Sequence, residues 1–141
     1  MFYGNSIQDT RKVFFTSWQK YQQKQDLEPV EQQVLAVILD HPEYQPFVEN
    51  PALYHDKNFL PELGETNPFL HMALHLAVRE QVTTNRPVGI AKTYAKLLKK
   101  KADPLAVEHC LMEVLGNFLW QIQVKNIAFN EENYLEMLLK L

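Results

Sequence analysis

The chain has 141 residues, of which 46% are hydrophobic and 22% charged, and its formal net charge is −3. These values predict one soluble domain, residues 1–141, and exclude a generally basic protein that would be drawn to nucleic acid or to an anionic membrane. Cys110 is the only cysteine, so the chain has no intrachain disulfide, which fits a reducing compartment.

The segment MFYGNSIQDTRKVFF carries polar and acidic residues where a signal peptide needs an apolar run. The longest clean apolar run, Val34 to Leu39, is too short to cross a bilayer. We therefore expect a cytoplasmic protein that has no membrane partner.

Two helices are predicted before the first proline-rich region. Ser6 with Asp9 has the spacing of a capping box, and Phe14, Trp18 and Tyr21 follow at helical intervals. A second helix is predicted from Pro29 until Pro42 stops it, because apolar residues recur there at spacings of three and four. These residues are Val30, Val34, Leu35, Val37 and Ile38.

Residues 42–68 form a long connection between the second and third helices, with one short helix predicted around Tyr44 to Val48. Five of the eight prolines lie here, namely Pro42, Pro46, Pro51, Pro61 and Pro68. Long irregular connections in compact domains often cover or shape a site. The alternative is a proline-stiffened strap over the core, and the sequence favours that structural role.

The remaining chain predicts four more helices, so the fold class is an all-α bundle of about five or six helices. The third helix is apolar on almost every side from Phe69 to Val78, which places it at the centre of the fold together with the fifth. The predicted helix starts are Pro68, the residues after Arg86-Pro87, Asp103-Pro104 and Asn130.

Two of these helices each carry a pair of potential metal ligands four residues apart. His71 and His75 lie on the third helix, and His109 and Glu113 lie on the fifth. Four residues make just over one helical turn, so each pair projects from one face. Imidazole and carboxylate suit zinc, iron or manganese, and helical bundles build metal sites from ligand pairs on facing helices. The sequence thus predicts His71, His75 and His109 as ligands, with Glu113 as a ligand or a base.

The same residues also fit a polar core without metal. Paired histidines can be satisfied by backbone carbonyls, a carboxylate or water, and Glu113 could simply hydrogen-bond a histidine. Whether Glu31, His41, Glu65 or Glu108 joins the cluster stays open. His41 before Pro42 is typical of a residue that ends a helix, and Glu108 predicts a buried partner such as Arg79.

A set of lysines on the fourth helix could bind phosphates or form an ordinary solvated face. These are Lys92, Lys96, Lys99, Lys100 and Lys101. Because the chain is acidic and has no recognised nucleic-acid motif, the sequence predicts no nucleic-acid partner.

The motifs NPFLHMALHLAVREQ, RPVGI and EHCLMEVLGNFLWQ occur in that order, and FFTSWQKYQQKQDLEP, HPEY and YLEMLLKL complete the pattern. This pattern resembles an uncharacterised bacterial family, domain-of-unknown-function family 1841, over nearly the whole chain. The resemblance implies a small cytoplasmic helical protein and supplies no activity. The HxxxH and HxxxE spacings are also locally similar to hemerythrin-like di-iron bundles and to three-histidine bundles of the DinB type, although the order and separation of the ligands differ.

Two functions follow from the sequence. The first is a metal-binding helical domain that holds a divalent transition metal, hydrolase-like or redox-active in chemistry. The second is a non-enzymatic interaction domain, a homodimer or a binder of another protein, whose polar core is purely structural. The residue pattern leaves open whether the protein is an enzyme.

Overall fold

The computed structural model describes residues 7–141, with side chains from Thr10 onward, and this part of the chain is all-α without strands. Its eight α-helices are α1 (Ile7–Gln22), α2 (Pro29–Leu39), α3 (Gln45–Val48), α4 (Pro51–Tyr54), α5 (Pro68–Thr84), α6 (Ile90–Lys101), α7 (Pro104–Lys125) and α8 (Glu131–Leu139). The all-α prediction is confirmed. The predicted number of five or six helices is too low, because the proline-rich connection contains two four-residue helices, α3 and α4.

The starts of the long helices follow local capping rules. Asn67 Oδ1 accepts hydrogen bonds from the backbone N–H groups of Phe69 and Leu70, with Pro68 at the first position of α5. Asp103 and Asn130 cap α7 and α8 in the same way, as the sequence predicts. The predicted capping box of Ser6 and Asp9 lies outside the described residues.

The chain forms two compact units, which divide between Leu76 and Ala77, inside α5. None of the described helices has the length and apolar character needed to cross a membrane. The single domain expected from chain length stays a prediction.

The first unit has a core built on α1, α2 and the N-terminal part of α5. α1 packs along α2, and the rings of Phe14 and Phe15 contact Phe69 edge-on, with centroids 5.9 and 5.4 Å away. Val34, Val37 and Ile38 of α2 are fully buried, as the helical spacing predicts. The other buried apolar residues of this core are Trp18, Leu35, Val48, Met72, Ala73 and Leu76.

Arg11 ties the proline-rich connection to α1. Its guanidinium Nη1 donates hydrogen bonds to the backbone carbonyls of Tyr54 at 2.8 Å and Lys57 at 2.7 Å. The guanidinium also lies over the rings of Phe59 and Phe69, 5.3 and 4.9 Å from their centroids. Burial lowers the pKa of Arg11, with the charge of Asp56 acting in the opposite direction. The connection is therefore held to the core by a buried cation.

In the second unit, α6 packs against both α7 and α8. The fully buried Tyr134 of α8 donates its hydroxyl hydrogen to Gln81 Oε1 at 2.7 Å. Arg79 Nε donates to both carboxylate oxygens of Glu108, at 3.2 and 3.1 Å, so the predicted Arg79 partner of Glu108 is confirmed. Buried ionised groups need such partners, because an unpaired charge is costly to desolvate.

Glu31 carries a pH-dependent part of the stability of the first unit. The backbone N–H of Glu28 donates to Glu31 Oε1 at 2.7 Å, and Lys20 Nζ donates to it at 2.9 Å. Both bonds lower the pKa of Glu31 below its ordinary value of 4.5, and the bond from Glu28 has the larger effect. A lowered carboxyl pKa means that the stabilisation is complete above the unfolded-state pKa and is lost as the pH falls through the lower folded-state pKa.

We expect Glu31→Gln to lower the free energy of unfolding at pH 7. The difference between the variant and the wild type should shrink as the pH falls from about 5 toward 3, because protonation then removes the charge of Glu31 from the wild type as well. Urea unfolding at several pH values measures it. Glu49→Gln, at an exposed position within the proline-rich connection, is the control for loss of one carboxylate. A difference that stays constant with pH would contradict this account.

Candidate metal centre

Three histidines of the first unit lie together in the structure. His41 follows α2, and His71 and His75 lie one turn apart on α5. The ring centroids are 4.7 Å apart for His41 and His75, 5.0 Å for His41 and His71, and 5.3 Å for His71 and His75. His75 is 0% and His41 4% exposed, whereas His71 is half-buried. The three imidazoles therefore form a nearly equilateral triangle with two corners in the core.

The hydrogen bond of His41 determines which of its ring nitrogens can bind a cation. Nδ1 lies 2.8 Å from the backbone carbonyl oxygen of Val37, one of the carbonyls left over at the end of α2. A carbonyl oxygen only accepts, so Nδ1 carries the hydrogen and donates it. In the neutral imidazole the lone pair is then on Nε2. Metal-binding histidines commonly use their second nitrogen in this way, which orients the ring and sets the tautomer.

Tyr44 forms one wall of the cluster. It ends the 3-10 turn Pro42–Tyr44, and its ring stacks on His41 at 5.3 Å with 2° between the planes. The same ring meets His71 edge-on at 5.6 Å. Burial, then the charge of Glu43, raises the pKa of the Tyr44 hydroxyl, so it stays protonated at neutral pH. Tyr44 thus holds two of the imidazoles by ring contact and brings no negative charge to them.

The ring arrangement can be compared with that of a tetrahedral zinc site. With Zn–N bonds of about 2.0–2.1 Å, two ligand nitrogens lie about 3.3 Å apart and two imidazole centroids about 5.2 Å apart. The observed centroid distances span this value. The candidate ligand nitrogens of His41, His71 and His75 all lie within 4.8 Å of one another. A tetrahedral site would need these nitrogens closer together, at about 3.3 Å.

The sequence identified most of this group of residues. His71 and His75 belong to it, as predicted, whereas His109 lies on α7 of the second unit, and its role as a ligand stays a prediction. His41, whose membership the sequence left open, is the third member of the group. The sequence indicated His41 through its position, because residues 34, 37, 38 and 41 follow helical spacing and His41 continues the buried face of α2.

Glu113 is exposed and is not part of this group. The buried residues of α7 follow a different stripe, which includes Val107, Glu108, Leu111 and Leu115. The i,i+4 relation to His109 keeps both residues on one side of the helix, and on α7 both are exposed. A role for Glu113 as a ligand or base stays a prediction.

The other acidic candidates contact neighbours of their own. Glu31 pairs with Lys20, and Glu65 Oε2 accepts a hydrogen bond from the backbone N–H of Leu60 at 2.8 Å. Glu108 pairs with Arg79. His55 is exposed in the connection, where its Nδ1 donates to the Pro51 carbonyl oxygen at 3.1 Å. Within residues 7–141, the group that could hold a metal ion therefore consists of imidazoles alone.

A family model described as a domain of unknown function, DUF1841, matches residues 6–140 of the chain. No curated protein and no solved structure matches the chain.

Proposed function

We propose that this chain, which belongs to the DUF1841 family, binds one divalent transition-metal ion through His41, His71 and His75. The observation that carries the proposal is the triangle of imidazoles, whose centroids are 4.7 to 5.3 Å apart. Two of these rings are buried. The His41 tautomer adds support, because its hydrogen bond to the Val37 carbonyl oxygen leaves the Nε2 lone pair for a cation.

The donor set selects the kind of metal. Imidazole nitrogen suits zinc, copper, nickel and iron, whereas calcium and magnesium require several oxygen ligands. His41, His71 and His75 offer neither a carboxylate nor a thiolate. We therefore expect zinc or a metal of similar preference to bind, and calcium and magnesium to be rejected.

The number of ligands decides the chemistry. A zinc ion with three protein ligands keeps one position for water, which hydrolytic reactions need, whereas four protein ligands close the site. With His41 after α2 and with His71 and His75 in α5, the metal would be a structural crosslink that fastens the end of α2 to α5. We favour this structural role.

Cobalt(II) titration tests the proposal, because tetrahedral cobalt gives visible absorption bands whose intensity reports the coordination number. Protein purified without a nickel column should bind one cobalt ion per chain, and zinc should displace it. His71→Gln and His75→Gln should each weaken binding by at least about 100-fold, more than the loss of a residue that only supports a ligand. His55→Gln removes an exposed histidine outside the cluster and should bind as wild type does.

Folded wild-type protein that shows no cobalt bands would reject the metal site. The interaction domain would then be the better explanation, and a specific feature favours it as the second candidate. Trp120 and Val124 lie one turn apart on α7 and are 63% and 60% exposed. Adjacent exposed apolar side chains of this size are typical of surfaces that bind another protein.

A further inference from the structure

The α6 lysine stripe comprises four lysines on one face of the helix. Lys92, Lys96, Lys99 and Lys100 fall within about 100° of arc, and Lys101 follows on another side. All five are exposed, and α6 contains no acidic residue. A helix of 12 residues thus carries five of the 14 basic residues in an acidic chain.

Helix stability explains only part of this stripe. Lysines in the last turn, Lys99 to Lys101, suit the negative end of the helix dipole. Lys92 is the third residue of α6, near the positive end of the dipole, where a cation is unfavourable. Like charges four residues apart, as in Lys92 with Lys96 and Lys96 with Lys100, also destabilise a helix.

Ion pairing does not offset this repulsion. None of the five lysines forms an ion pair with a carboxylate of residues 10–141. The neighbouring helix α8, which packs against α6, carries Glu131, Glu132 and Glu136. None of these three carboxylates forms an ion pair with a lysine of α6. The stripe therefore keeps its positive charge available for a partner from outside the chain.

The position of α6 directs the stripe away from the core of the second unit. Ile90, Thr93 and Leu97 are buried on the other side of the helix, which packs against α7 and α8. The rise of an α-helix places Lys96 about 6 Å and Lys100 about 12 Å along the axis from Lys92. The lysines thus follow one another along one side of the helix, and each ammonium group can contact a phosphate as a point charge.

We propose that the α6 lysine stripe binds the phosphate backbone of a single-stranded nucleic acid without reading its sequence. A flexible strand can lay successive phosphates along such a row, and lysine contacts to phosphate carry no base information. A membrane surface fits less well, because interfacial helices insert large apolar side chains beside their charges, whereas those of α6 are directed to the core. The net charge of −3 predicts no nucleic-acid partner. Net charge is a sum over the whole chain, however, and does not report the concentration of lysines on α6.

Fluorescence anisotropy with a labelled 20-nucleotide oligouridylate tests the proposal in the full chain. Contacts from four lysines predict a slope of about −2.8 in a plot of log affinity against log salt concentration, because each phosphate neutralised on a single strand contributes about −0.7. The double variant Lys92→Gln/Lys96→Gln should reduce the slope to about −1.4 and bind more weakly. An oligocytidylate of equal length should behave as the oligouridylate does.

The matched control is Lys125→Gln/Lys140→Gln, which removes the same charge from exposed positions outside α6 in the same unit. It should keep a slope near that of wild type. Equal slopes for the two double variants would overturn the proposal, because net charge would then explain the binding. It would also be overturned by absence of binding at 25 mM salt, or by binding to phosphatidylserine vesicles without binding to the oligonucleotides.

Discussion

Zinc at about 100 times its dissociation constant is expected to stabilise the folded wild-type protein by about 2.7 kcal/mol, because the ion binds the folded and not the unfolded chain. At about 3 °C per kcal/mol for a chain of this size, the melting temperature should rise by about 8 °C. The crosslink joins the end of α2 to α5 through His41, His71 and His75, so the gain should appear as one shift of the whole transition. Thermal melts followed by circular dichroism, with zinc and with chelator, measure it.

The histidine variants separate this specific gain from weak binding elsewhere. His71→Gln should lose most of the zinc-dependent shift, whereas His55→Gln should keep it, since His55 lies outside the cluster. The shift should also grow with the logarithm of the zinc concentration and shrink at pH 5, because protons compete with the metal for imidazole nitrogen. Identical melts with zinc and with chelator at pH 7.5 would contradict a metal site.

The sequence predicts best those features that depend on neighbouring residues in the chain. The cap residues Asp103 and Asn130 and the proline at the start of α5 are read directly from the sequence, because capping satisfies the first N–H groups of the same helix. Of the two short helices, α3 agrees with the short helix predicted around Tyr44 to Val48, whereas α4 was not predicted. α4 has only four residues and begins at Pro51, so no apolar period can develop in it.

Of the features that depend on contacts between helices, the sequence predicted some and missed others. The charged residue Glu108 on the apolar side of α7 required a partner, and Arg79 is that partner. For His41, the sequence shows a residue on the buried face of α2 but not what it meets there, and its contact with His75 is a tertiary one. For Glu113, spacing from His109 gives a shared side of the helix, yet spacing alone does not say whether that side is buried.

Arg11 offers the second large effect, on stability alone. Arg11→Met retains a long side chain between Phe59 and Phe69 but removes the hydrogen bonds to the carbonyl oxygens of Tyr54 and Lys57. Hydrogen bonds from a charged donor contribute about 1.5–3 kcal/mol each, and the carbonyls would lose their charged donor. Part of this loss is recovered because methionine is cheaper to bury than a guanidinium. We expect the free energy of unfolding to fall by about 3 kcal/mol, measured by urea denaturation.

Arg11→Lys and Lys12→Met are the variants that make this expectation specific. Lysine keeps the charge but lacks the planar guanidinium that lies over the rings of Phe59 and Phe69, so Arg11→Lys should lose an intermediate amount. Lys12 is the exposed neighbour of Arg11, and Lys12→Met should change stability by less than about 0.5 kcal/mol. If Arg11→Met were as stable as Lys12→Met, apolar packing alone would hold the connection. A loss confined to Arg11→Met and Arg11→Lys would instead mean that a single buried cation fastens the proline-rich segment to α1.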